Sequence, residues 1–180
     1  MLVITVPDGE MWDEKNQEFL ATKGGELRLE HSLIAVSKWE ARWHRSFISG
    51  GKKSRAELLD YIRCMRLDGK ADEDILRNLT NSNINDIVKY IEEPMTATVL
   101  RADNGGGQSG DKITSELIYY WMISFGIPFE CQYWHLNRLM TLIRLCGAKS
   151  RRSGTRKRND MLRSNAALNA ARKAKYGTRG

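Results

Sequence analysis

The chain has 180 residues, 41% of them hydrophobic and 8% aromatic, which suits one domain with an appendage and excludes wholesale disorder. Its net charge of +7 is unevenly placed: Lys149 to Gly180 holds eleven basic residues against Asp160 alone, a balance of +10, so the rest carries −3. Three scattered cysteines with no CxxC pair exclude a disulfide scaffold or a zinc ribbon and suit a reducing cytoplasm, and "MLVITVPDGEMW" lacks the pattern of a signal peptide.

"LVITV" at residues 2–6 reads as a short strand stopped by the turn signal Pro7-Asp8-Gly9. In "EFLATKGGELRLEHS" the pair Gly24-Gly25 divides two short runs, and Leu27 and Leu29 alternate with Arg28 and Glu30, predicting the half-buried strand of a small hairpin. One small N-terminal sheet is expected. After Ser32 the period becomes helical, with Leu33, Val36, Trp39 (or Glu40) and Trp43 on one side, predicting a helix over 33–46. Ser54 and Glu57 have capping-box spacing before a second helix, whose buried face is Leu58, Tyr61, Ile62 and Met65 and whose end falls near Asp68-Gly69.

"ADEDILRNL" and "NSNINDIVKYIEE" predict two more helices, the second with Ile84, Ile87, Val88 and Ile91 on one face and Pro94 as its stop. A short strand is expected at 97–100, followed by a Gly-rich loop. Helix resumes near Asp111 or Thr114, carries Leu117, Tyr120, Trp121 and Phe125, and closes at Gly126 as a left-handed cap. Pro128 suits the first turn of another helix, in which Phe129, Tyr133, Leu136, Met140 and Ile143 share a face. The apolar run is too short and too charged to span a membrane, interrupted as it is by Glu130, His135, Arg138 and Arg144. The tail regains helical character at "NDMLRSNAALNAARKAK", with a thin apolar face that suits folding on docking.

Candidate chemistry is sparse. Cys131 and His135 are four apart, so one helix would bring both to a metal ion or pair them as nucleophile and base, but no further ligands or orienting group stand at a recognisable spacing. "GGGQSGDK" has the glycines of a phosphate loop, yet Asp111-Lys112 replaces the Lys-Ser/Thr pair and Asp111 would repel phosphate. Trp39 and Trp43, near His31 and His44, would make a base-stacking platform; core or protein interface is the commoner use of aromatics at helical spacing. The tail reads as a nucleic-acid arm, an arm for an acidic protein, or a solvated extension.

Particular words carry a resemblance. "EHSLIAVSKWEARWHRSFI", "YIRCM", "PMTAT", "TSELIYYWMISFGIPFECQYWHLNRL" and "NAALNAARKAKYGTRG" resemble, in this order, the tail assembly chaperones of long-tailed bacteriophages. The resemblance spans nearly the whole chain and is densest at His31–Glu40 and Ser115–Leu139. It implies a non-enzymatic factor of virion morphogenesis in the host cytoplasm, absent from the finished virion. Such a factor binds the long helical tape-measure protein and keeps it soluble while the tail tube assembles. In many such phages a frameshifted extension recruits the tube protein.

The expectation is therefore an α+β, mainly α fold: residues 1–148 form a helical domain with a small N-terminal hairpin or sheet and about five or six helices, and 149–180 form a basic arm. Trp39, Trp43, Tyr120, Trp121, Tyr133, Trp134 and Leu136 are the candidates for core or client contact. Arg151, Arg152, Arg156, Lys157, Arg158, Arg172, Lys173 and Lys175 make the arm basic. No cofactor, metal or catalytic residue is expected. The partners are the tape-measure protein and the tail-tube protein, with nucleic acid at the arm under the alternative reading of a nucleic-acid-binding or head–tail structural protein.

Overall fold

The computed structural model of the protein describes residues 1–67, 73–98 and 112–176, with side chains at 73–74, 152–157 and 174–176 outside the description. The fold is α+β and mainly α. Strand β1 (Leu2–Val6) pairs antiparallel with β4 (Gly25–Leu29), Ile4 facing Leu27 and Leu2 facing Leu29. Alternation places Ile4, Val6, Leu27 and Leu29 on the buried face. Between them, β2 (Gly9–Asp13) and β3 (Glu18–Thr22) form a separate hairpin with Trp12 opposite Phe19.

The pairing differs from the expected hairpin across Gly24-Gly25, because β3 and β4 belong to different sheets and β2 is a strand that turn signals alone do not reveal. Gly24 marks a close approach instead: a Cβ there would collide with the Val6 and Pro7 carbonyls. The hairpin is tethered through Thr22, whose Oγ1 donates to Asn78 Oδ1 at 2.8 Å while Asn78 Nδ2 donates to the Thr22 carbonyl at 3.3 Å.

Helix α1 (Leu33–Trp43) starts at Ser32, whose hydroxyl accepts from the Ala35 N–H. It stops short of the expected residue 46 because His44 turns left-handed, φ 50°, its N–H closing on the Glu40 carbonyl. Helix α2 (Arg55–Met65) has the full Ser54/Glu57 capping box. It ends before 68–69 because the sheet takes over: the Met65 carbonyl accepts from the Glu30 N–H, and the Leu67 N–H donates to the Arg28 carbonyl. Tyr61, Ile62 and Met65 are buried and Leu58 only half so.

Helix α3 (Glu73–Arg77) is short, and α4 (Asn81–Glu92), capped by Thr80, buries Ile87 and Tyr90 with Ile84, Val88 and Ile91 at its margins. Ala97 and Thr98 are not in a strand, and the rest of that expected strand and nearly all of the Gly-rich segment lie outside the described residues. Helix α5 (Ser115–Ser124), a 3-10 turn (Phe129–Tyr133) and α6 (Leu136–Tyr176) complete the order. The chain divides into two compact units, Met1–Thr141 and Leu142–Gly180. Among the described residues, no helix is long and apolar enough to cross a membrane.

The expected single helix after Pro128 is two elements. Trp134 and His135 run extended between them, because His135 bridges to Ser32 and the Leu136 N–H donates to the His31 carbonyl at 2.7 Å. A tertiary contact thus outbids the helical hydrogen bond that periodicity alone would favour. Cys131 and His135 consequently do not share a helix, and Phe129 and Tyr133 leave the buried face of Leu136, Leu139 and Ile143.

A polar seam crosses the core of the first unit. Burial drives the Tyr61 phenol well above its ordinary pKa, so its hydroxyl stays protonated and donates to His31 Nδ1 at 2.5 Å. His135 Nε2 donates to the Tyr90 carbonyl at 3.0 Å, and its Nδ1 accepts from the Asn137 N–H, fixing the neutral tautomer. The Tyr90 hydroxyl donates to Glu30 at 2.6 Å. The two imidazoles meet edge to face, centroids 5.0 Å apart.

Candidate protein-docking face

The structure sorts the seven candidate contacts. Trp39 is fully buried, its indole N–H donating to the Glu57 carbonyl at 2.9 Å, and Leu136 is buried as well; of the two roles the sequence leaves open, both residues take the core one. Trp43 stacks on Trp39, ring centroids 5.9 Å apart, donates to Asp60 on α2, and remains partly exposed. This removes the base-stacking platform, since one of its two tryptophans has no exposed face. Trp121 and Trp134 are half-buried, the latter under the Arg138 guanidinium at 4.3 Å. Tyr120 and Tyr133 stand out, 63% and 62% exposed.

The elements explain that exposure. Thr114 caps α5 by accepting from the Leu117 N–H. The helix start is pinned by Glu40, a buried carboxylate of α1: Oε2 accepts from the Ser115 N–H and Oε1 from the Phe47 N–H, both at 2.7 Å. With Ser115, Ile118 and Met122 directed inward, helical geometry turns Glu116, Tyr120 and Ile123 outward and leaves Tyr119 half-buried at the margin. Gly126, at φ 64°, then reverses the chain, with the Ile127 N–H donating to the Met122 carbonyl at 2.8 Å.

The returning 3-10 turn is held by buried Cys131 and lays Phe129 beside Tyr119, centroids 6.3 Å apart, while the Tyr119 hydroxyl donates to Gln132 at 2.9 Å. Burial raises the Tyr119 phenol, and the nearby Tyr133 phenol adds to the effect. The result is a surface of Tyr119, Tyr120, Ile123, Phe129 and Tyr133. Clustered exposed aromatics of this kind mark protein contact, since a tyrosine buries a large area at little conformational cost. Tyr119 and Ile123 escaped the sequence reading, and Phe129 was expected on a shared helical face with Leu136 and Ile143, not in the open; the outward face of α5 becomes legible only once Ile118 and Met122 are known to be the inward one.

Other features offer little chemistry. Burial raises the thiols of Cys64 and Cys131, so neither is an activated nucleophile. Both His135 ring nitrogens are engaged, and among the described residues no group of three or more His, Cys, Asp or Glu is placed to hold a metal ion. A groove of about 650 Å³ opens beside the α1–α5 junction, between Arg45 and Lys112. Its buried carboxylate, Glu40, spends both oxygens on backbone N–H groups, and Arg45 is held by Glu57 at 3.1 Å. In the arm, Arg151, Arg158, Arg172 and Lys173 are exposed on α6, whereas the side chains of Arg152, Arg156, Lys157 and Lys175 lie outside the description.

Comparison of the chain with protein-family models, with curated proteins and with solved structures gives no match.

Proposed function

We propose that this chain is a bacteriophage tail assembly chaperone whose α5 and 3-10 face covers amphipathic helices of the tape-measure protein. The motif resemblance names the class of client, and the cluster of Tyr119, Tyr120, Ile123, Phe129 and Tyr133 is the observation that supports it. An apolar helix kept from aggregating needs a wide, adaptable apolar partner, and aromatic side chains on a fixed scaffold supply one. The protein acts in the cytoplasm of the infected host, without catalysis and without a cofactor, and leaves before the virion is complete.

Co-expression with the tape-measure protein tests this. The wild-type chain raises the client's soluble fraction and co-purifies with it, and Tyr120→Asp with Ile123→Asp and Tyr133→Asp abolishes both while leaving the unfolding midpoint in place. No complex with the wild-type chain removes the proposal. A second reading, nucleic-acid binding through the arm, draws on the exposed Arg158, Arg163, Arg172 and Lys173. Deletion of 149–180 separates the two: the first reading keeps client binding, and the second loses a salt-sensitive association with DNA or RNA.

A further inference from the structure

The β2–β3 hairpin carries an aromatic pair that the aromatic face of α5 does not include. Trp12 and Phe19 are cross-strand partners, ring centroids 4.9 Å apart at 62°, and they are 49% and 66% exposed. By strand alternation Glu10 shares their face, Asp13 and Glu18 form the next cross-strand pair and project from the opposite face, and Glu14 stands at the turn. Against these four carboxylates the segment 9–22 holds only Lys15, a balance of −3, so this hairpin accounts for the whole net negative charge of residues 1–148. An exposed aromatic pair on a hairpin of net negative charge calls for a partner that is basic and apolar together.

The same chain contains such a surface. Along α6, helical spacing gathers Arg158, Met161, Leu162, Leu168, Arg172 and Lys173 on one side. All six are exposed. From Arg158 to Lys173 this stripe extends ~22 Å, close to the ~17 Å of a five-residue strand. Basic residues stand at both ends and methyl-rich side chains between them, the inverse of the hairpin's pattern.

We infer that the arm of one copy docks on the β2–β3 hairpin of a second copy, Met161, Leu162 and Leu168 covering Trp12 and Phe19 while Arg158, Arg172 and Lys173 face the carboxylates. Exchanged both ways, this gives a two-fold, self-complementary dimer. Because its rim is ionic and exposed, the assembly forms readily at low salt and weakens as the Debye length shrinks.

Sedimentation of the full chain across a concentration series tests the inference. A dimer at low salt that dissociates toward monomer at ~0.5 M NaCl is expected. Trp12→Thr with Phe19→Thr weakens association about tenfold or more, as does either of two charge reversals: E10K with E14K and E18K, or R158E with R172E and K173E. Mixing the two charge-reversed chains restores a heterodimer, because each arm then meets a hairpin of opposite sign. A chain that stays monomeric at low salt and ~100 μM, including one whose arm folds onto its own hairpin, overturns the inference. So does a dimer unaffected by both reversals, or one that the mixture fails to restore.

Discussion

Acid should loosen this fold through His31. The imidazole is 3% exposed, and burial, with lesser help from neighbouring His135 and Lys53, lowers its pKa from 6.5 to about 3. In the unfolded chain the ring takes a proton near 6.5; in the folded chain it stays neutral until about 3. The unfolded state therefore binds more protons throughout that window, and stability falls as pH falls through it, by ~1.4 kcal/mol per pH unit and ~5 kcal/mol in all from this one group. His31→Leu removes the proton site and strands the Tyr61 hydroxyl, at a cost of ~2 kcal/mol near neutrality. Above pH 6.5 the variant is thus the less stable protein, and near pH ~5 the two stabilities cross. Urea unfolding followed by tryptophan fluorescence from pH 7 to 4 reads the crossing directly, since the carboxylates shared by both proteins cancel in the difference. Parallel stability curves, or a His31 ring that titrates near 6.5 in the folded protein by NMR, would refute the reasoning.

Glu40→Ala leaves the Phe47 and Ser115 N–H groups without their shared acceptor, and urea unfolding should show a loss of ~3 kcal/mol. A loss below ~1 kcal/mol would mean that water replaces the carboxylate at no cost. Gly126→Ala meets no atom within 4 Å but must hold φ 64°, so the loss is backbone strain alone, ~1 kcal/mol; an unchanged unfolding midpoint would contradict it.

Local signals were legible wherever local chemistry decides. Ser54 with Glu57 announces a helix start, Gly126 announces a helix end, and both hold because a cap is a contact between near neighbours in sequence. Strand pairing was not legible: Gly24-Gly25 has the look of a hairpin turn, whereas β4 finds β1, more than twenty residues away, because Leu27 and Leu29 complete a buried face with Ile4 and Val6. The break at Trp134–His135 was hidden for a related reason, since the group that interrupts the helix is the His31 carbonyl, a hundred residues earlier. Trp39 and Trp43 sit one turn apart with the same residue type, and only the approach of α2 makes one interior and the other half open. Exposed aromatics on α5 and on the hairpin carry no sequence mark separating them from core.

Glu40 gives the molecule an order of completion. Its carboxylate is answered partly by Phe47, seven residues on, and partly by Ser115, seventy-five residues on. During synthesis on a ribosome, the front half of the chain emerges with one carboxylate oxygen facing a gap that nothing nearby in the polypeptide can fill. Arrival of α5 fills it, so closure of the interior and presentation of the aromatic face on the outer side of that helix become a single event, and a nascent chain presents no such face before its own core can close.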